Sequence, residues 1–131
     1  METKNISRIT TAFINDKSPV MDFIHDDLVA SGVDVVFRSD NVADGNNLLS
    51  SLTTLPNICI IDLDFSDKDI MKQIRELRSQ HPILKLVAHS DMDDEKIIRE
   101  LAELGFSKYV LIGEDIKKAI DGAVNSGWMN A

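Results

Sequence analysis

One cysteine, Cys59, stands alone in the 131 residues, so no disulfide can form within the chain. It lies inside the apolar run "ICII", where a small buried hydrophobe is the expected role. No stretch approaches the roughly 20 apolar residues that a membrane helix needs. The opening "METKNISRITT" has no apolar core of the kind that signal peptides carry. Basic residues are also scarce, 14 against 22 acids, for a net charge of -8. Nucleic-acid binding by this chain itself is therefore not expected, because phosphate contacts need a basic face. Repeats, low-complexity tracts and internal linkers are missing as well. These absences point to a cytoplasmic protein, off the membrane, with one domain over residues 1–131.

What is present is an alternation. "RITTAFI" (8–14) reads as a strand, and Ser18-Pro19 opens a helix as cap and first residue. Val20, Phe23, Ile24 and Leu28 follow at helical spacing, and Gly32 closes that helix. "VDVVFRS" (33–39) is a second strand. Asp44-Gly45 reads as a turn, with Leu48, Leu49 and Leu52 marking a short helix beyond it. "ICIIDL" (58–63) is the third strand, and the next helix stops before His81-Pro82. "LKLVAHS" (84–90) and "KYVLI" (108–112) are strands four and five. Ile97, Leu101 and Leu104 line the helix between them, which Gly105 ends, and Ile116 to Val124 form the last helix. Residues 126–131 read as a polar tail, with Trp128 a packing anchor or part of a linker. Five strand–helix units imply an α/β fold, a doubly wound parallel sheet with helices on both faces.

In such sheets, ligands sit beyond the carboxyl ends of the strands. Three polar positions occupy that rim. The first strand ends in Asn15-Asp16, the third in Asp62, and the fourth in His89-Ser90-Asp91. If strands one, three and four are neighbours, Asp16, Asp62 and Ser90 converge in an oxygen-rich pocket. Hard cations such as Mg²⁺ take oxygen ligands, and a metal-assisted carboxylate nucleophile is chemically reasonable there. Any one of these acids is more simply a solvated loop residue. The three together, at matching strand ends, favour a site. His25 and His81 read as a surface and a helix-end residue. Strand alternation turns His89 away from Ser90, which gives it a packing role.

The order and spacing resemble the receiver domain of bacterial two-component response regulators, over about residues 8 to 125. Asp62 matches the phosphoacceptor, Asp16 the second acid after the first strand, Ser90 the hydroxyl that ends the fourth strand, and Tyr109 the aromatic switch. The resemblance implies a five-stranded, flavodoxin-like sheet of order 2-1-3-4-5. It implies phosphorelay chemistry on Asp62 rather than turnover. Weakly bound Mg²⁺ would be held by Asp16, Asp62 and the backbone carbonyl of Asp64, and Ser90 would hydrogen-bond the phosphoryl group. The donor would be a sensor histidine kinase or a phosphotransfer protein. Tyr109 would rotate and change the face built from the fourth helix, fifth strand and fifth helix. That face carries Asp93, Asp94, Glu100 and Glu103 beside Lys96, Arg99, Lys117 and Lys118, a mixture suited to a homodimer or an output domain.

The sequence also departs from the family pattern. Asn15 replaces the first acid of the pair, Ile112 stands in the place of the lysine, and Gly113 replaces the proline after it. Lys17 and Lys68 sit on rim loops and read as solvated lysines rather than as substitutes for that lysine. A degenerate receiver, or a phosphorylation-independent pseudo-receiver interaction module, is the alternative expectation. "DLD" (62–64) also resembles the first motif of haloacid-dehalogenase-type phosphatases. There it sits on the first strand, whereas two strand–helix units precede it here.

Overall fold

Ile58 and Ile60 face one way from the third strand, and Cys59, Ile61 and Leu63 face the other; all five are buried. A strand buried on both faces belongs to a sheet with a helical layer on each side. The computed structural model describes residues 9–14, 19–63 and 68–125 and shows this arrangement. In chain order the elements are β1 (Thr10–Ile14), α1 (Pro19–Ala30), β2 (Asp34–Ser39), α2 (Val42–Ser51), β3 (Ile58–Asp62), α3 (Ile70–Gln80), β4 (Lys85–Ser90), α4 (Glu95–Glu103), β5 (Lys108–Leu111) and α5 (Ile116–Asn125). The sheet runs β2-β1-β3-β4-β5, with every pairing parallel. β1, β3 and β4 are adjacent, as convergence of their carboxyl ends requires.

Each face has its own core. On one side α1 and α5 bring Met21, Leu28, Ile116, Ile120 and Ala123 onto Phe13, Ile60, Val87 and Val110. On the other, α2, α3 and α4 bring Leu49, Ile74, Leu77 and Leu101 onto Ile14, Ile61 and Leu86, with Phe106 beside them. Each large side chain that is fully buried contributes roughly 1.5–3 kcal/mol. Lys85, the first residue of β4, reaches the end of α5, where its Nζ donates to the carbonyls of Ala123 and Val124 at 2.9 Å each. A cation at a helix carboxyl end satisfies carbonyls that lack helical partners. Among the described residues no helix is long and apolar enough to cross a membrane.

One element begins earlier than the sequence pattern predicts. Asp44-Gly45 is not a turn but the first turn of α2, which starts at Val42. Asn41 caps it, its Oδ1 accepting from the Asp44 N–H at 2.9 Å. Gly45 is required by packing rather than by a turn: a Cβ there would stand 2.3 Å from Ile14 Cδ1. Glycine therefore lets α2 lie directly on β1. Gly32 and Gly105 do close their helices, at φ 94° and 84°. The cap expected at Ser18, the rim residues 15–17, and the tail with Trp128 lie outside the described residues.

Candidate functional site

Asp62 ends β3 on the parity of Ile58 and Ile60, so it belongs to the α1/α5 face of the sheet. Its backbone partner across the sheet is His89. His89 shares that face with Val87 and is only 1 % exposed. Its Nδ1 lies 3.0 Å from Asp62 Oδ1, while the Asp62 side chain keeps 15 % of its surface open to solvent. A carboxylate only accepts, so the hydrogen of this bond is carried on Nδ1. His89 is packed as expected, and it also makes a polar contact that strand alternation alone does not foresee. Alternation does turn it away from Ser90, but the β3–β4 register turns it onto Asp62.

Ser90 and Tyr109 lie together on the opposite face. Ser90 is fully buried, on the parity of Leu86 and Ala88, and Tyr109 pairs with Ala88 across the sheet. Ser90 Oγ accepts from the Met92 N–H at 3.0 Å. The Tyr109 hydroxyl donates to the Met92 carbonyl. One residue of the segment after β4 is therefore gripped by both side chains. Burial pushes the Tyr109 phenol up from its ordinary value; the Ser90 hydroxyl pulls the other way, and Asp93, Asp94 and Asp91 add to the rise. The phenol stays neutral and able to donate at physiological pH. Ser90 also holds the turn after β5, its carbonyl accepting from the Ile112 N–H at 2.9 Å.

Ile112 itself is 46 % exposed. The turn it opens has Gly113 at φ 99°, a conformation closed to proline, and Glu114 Oε1 accepts from the Leu111 N–H at 2.8 Å. Two of the departures from the family pattern, Ile112 and Gly113, thus lie in one turn that Glu114 and Ser90 hold. Lys68 is solvent-exposed, and Lys17 lies outside the described residues. Asp16 and Asp64, the other metal-ligand candidates, lie outside them too, and no group of three or more His, Cys, Asp or Glu able to hold a metal forms among the described residues.

The remaining ionisable candidates have local work. His81 ends α3, is buried, and joins it to α2 through Asn46 Oδ1 at 3.0 Å and Ser50 Oγ at 3.4 Å. His25 pairs with Asp26 on α1 at 3.1 Å. Of the mixed charges around α4 and α5, Asp94 caps α4, Lys117 pairs with Asp121, and Glu100 approaches Arg75 at 3.8 Å. Burial pushes the Cys59 thiol up to about 12, which leaves it inert.

No family model and no curated protein matches the chain. Solved structures do. A two-component response regulator of the LuxR family from Aurantimonas sp. SI85-9A1 superposes with a TM-score of 0.76 at 19 % identity, over 90 % of this chain and 86 % of that one. The signal receiver domain of the putative response regulator NarL from Mycobacterium tuberculosis gives 0.76 at 17 %, over 92 % and 100 %. RcsB from Salmonella enterica serovar Typhimurium, bound to promoter rprA in the presence of the phosphomimetic BeF3-, gives 0.75 at 19 %, over 91 % and 100 %. The fold is that of response-regulator receiver domains. At these identities the likeness establishes the fold and leaves the chemistry to the residues.

Proposed function

We propose that the chain is a receiver domain that accepts a phosphoryl group on Asp62 and transmits the event through Ser90 and Tyr109. The observation that carries this reading is the position of Asp62. It ends the central strand of a 2-1-3-4-5 sheet, its carboxylate is oriented by one hydrogen bond, and it is still open to solvent. In the reaction one carboxylate oxygen attacks phosphorus in line and the donor's leaving group departs with its electron pair. Ser90 then turns its hydroxyl from the Met92 N–H toward the phosphoryl oxygens. Met92 is held jointly by Ser90 and Tyr109, so that exchange loosens the segment leading into α4. The surface of α4, β5 and α5 changes as a result, a local charge biasing a two-state element. Such a face suits an output domain or a second copy, and a histidine kinase or phosphotransfer protein would supply the phosphoryl group.

Mg²⁺ is part of this proposal. The donors assigned to it, Asp16, Asp62 and the carbonyl of Asp64, are all oxygen, the chemistry the ion selects. The ion would supply neutralisation of the negative charge that gathers at the site. With Asn15 in place of an acid, binding is weak. It is expected to shift the Asp62 and Leu63 amide resonances only on the order of tens of millimolar Mg²⁺, and unmoved resonances there would remove the ion from the proposal.

A phosphorylation-independent interaction module is the second reading, favoured by Ile112 standing in the lysine's place. The haloacid-dehalogenase reading loses ground to the topology, which puts Asp62 at the end of the third strand rather than the first. One experiment separates the first two. The chain is incubated with acetyl phosphate and Mg²⁺, and its intact mass is measured, with Asp62→Asn as blank. A gain of one phosphoryl group, missing from the blank, supports the receiver; identical masses support the interaction module.

A further inference from the structure

We propose that His89 is a positioning residue for Asp62: it holds Oδ1 and leaves Oδ2 as the attacking oxygen. The inference rests on Asp62 being the phosphoacceptor, and it assigns a role to a residue that neither the sequence pattern nor the fold likeness singles out.

Three observations carry it. First, the contact is built into the sheet. Asp62 and His89 are register partners on β3 and β4, and the Leu63 N–H donates to the His89 carbonyl at 2.8 Å, so backbone pairing fixes both residues. Second, the imidazole is walled in, 1 % exposed on a face whose neighbouring positions are Val87 and Val110. A ring packed among apolar groups has few alternative rotamers, and its orientation is decided before any substrate arrives. Third, the carboxylate is the more open partner, at 15 %. The restrained atom therefore belongs to a group that a phosphoryl donor can still reach.

The chemical consequence is specific. With Oδ1 accepting from Nδ1–H, the lone pairs of Oδ2 remain for attack on phosphorus. The bond from Oδ2 to phosphorus forms as the bond from phosphorus to the donor's leaving oxygen breaks, and acetate leaves when acetyl phosphate is the donor. Oδ1 then becomes the carbonyl oxygen of the acyl phosphate and keeps its hydrogen bond to Nδ1–H. No proton is transferred. Ile112 puts an uncharged side chain after the fifth strand, so the orientation of Asp62 rests on the imidazole.

The test compares side chains that keep or lose a donor at the Nδ1 position. Asn places its amide N–H close to where Nδ1–H stands, Gln places it near Nε2, and Leu fills the space without a donor. All three variants and the unmodified chain are melted first, then phosphorylated with acetyl phosphate and Mg²⁺ and followed by intact mass. The expected order is unmodified, then His89→Asn, then His89→Gln, with His89→Leu slower by about tenfold or more. A side-chain ¹⁵N–¹H spectrum supplies a readout that packing alone would not move: the Nδ1-bound proton is seen in the unmodified chain and lost on Asp62→Ala. If His89→Leu is folded and phosphorylated as fast as the unmodified chain, the positioning role is overturned while the receiver reading stands. If the unmodified chain gains no more mass than the Asp62→Asn blank, the receiver reading fails and takes the positioning role with it. A variant that melts early is judged by His89→Asn alone, where a rate as low as that of His89→Gln overturns the proposal.

Discussion

The two faces of the sheet meet at the end of β4, and they are equipped differently. Toward α1 and α5, His89 holds a solvent-accessible carboxylate. Toward α2, α3 and α4, Ser90 and Tyr109 hold backbone, gripping Met92 by its N–H and its carbonyl. On the proposed reading, one side carries the reactive carboxylate and the other a mechanical latch. Consecutive residues serve them because a strand sends successive side chains to opposite faces. The pairing teaches how a reaction on one face can be felt on the other. The β4 backbone is shared, and any shift of Ser90 toward the carboxylate's rim must release what Ser90 was holding.

The glycines of the two faces sharpen the contrast most. Gly45 on α2 has no room for a methyl, with Ile14 Cγ1 2.6 Å and Cδ1 2.3 Å from an added Cβ. Ile14 is itself buried, so moving it aside disturbs the core. Gly45→Ala should cost about 1–3 kcal/mol by overpacking, less up to ~1 kcal/mol regained from helix propensity. On the other face, an added Cβ at Gly122 of α5 would meet Lys108 Cε at 3.4 Å and Nζ at 3.7 Å, the flexible end of a side chain. Gly122→Ala should stabilise by about 0.5–1 kcal/mol. Urea denaturation of the two variants checks both signs; a stabilised Gly45→Ala would show that α2 can lift from β1.

The latch can be broken without touching Asp62. Tyr109→Phe keeps the ring and removes the hydroxyl that donates to the Met92 carbonyl. It should cost roughly 0.5–1.5 kcal/mol and speed hydrogen exchange at the Met92 amide and the start of α4. The Nδ1–H signal of His89 should stay in place. If that signal also vanished, the two halves would be one network, and the division by face would be wrong.

A pH experiment, with a His81 variant as control, probes the latch face. Burial pushes His81 below its ordinary value of 6.5, an effect only partly offset by its bond to Asn46. The folded state thus takes up a proton less readily than the unfolded chain, and the unfolded state binds more protons as pH falls through 6.5. The His81 contribution to stability is present above that value and is lost below it. Melting temperature should fall between pH 7.5 and pH 5.5, and His81→Gln should flatten that part of the profile. An unchanged slope would place the acid sensitivity elsewhere.

Most of the fold was legible because periodicity is a local signal. Apolar alternation marked both faces of β3, and Gly32, Gly105 and His81-Pro82 marked helix ends. Asp44-Gly45 misled because the pair is common in turns, and nothing local reveals that Ile14 must lie against position 45. The candidate site was legible in part for a similar reason. Strand ends gave Asp62 and Ser90, and the turn after β5 drew notice through Ile112. The Asp62–His89 pair was not legible, because register between parallel strands is set by the crossover that joins them. Parity within β4 says that His89 and Ser90 diverge; only register says which of them meets Asp62.

The smallest effect expected is also the one that tests the junction between the two faces. Ile112 follows β5, its N–H bonded to the Ser90 carbonyl, and nearly half of its surface is open. An exposed side chain can be exchanged for lysine at little cost to the core, so Ile112→Lys should melt close to the unmodified chain. The same exposure limits what the cation achieves. A solvated ammonium facing a phosphoryl group is worth about 0.2–1 kcal/mol, which is at most about fivefold in rate or lifetime. The phosphorylated fraction of Asp62 should therefore rise modestly, measured by intact mass against Asp62→Asn. A much larger gain would mean that the lysine reaches into a dry part of the rim and that the imidazole of His89 had been a poor substitute. No gain at all, in a folded variant, would mean that His89 already supplies the orientation a cation would have given, and that Asn15 is the departure that limits the chemistry.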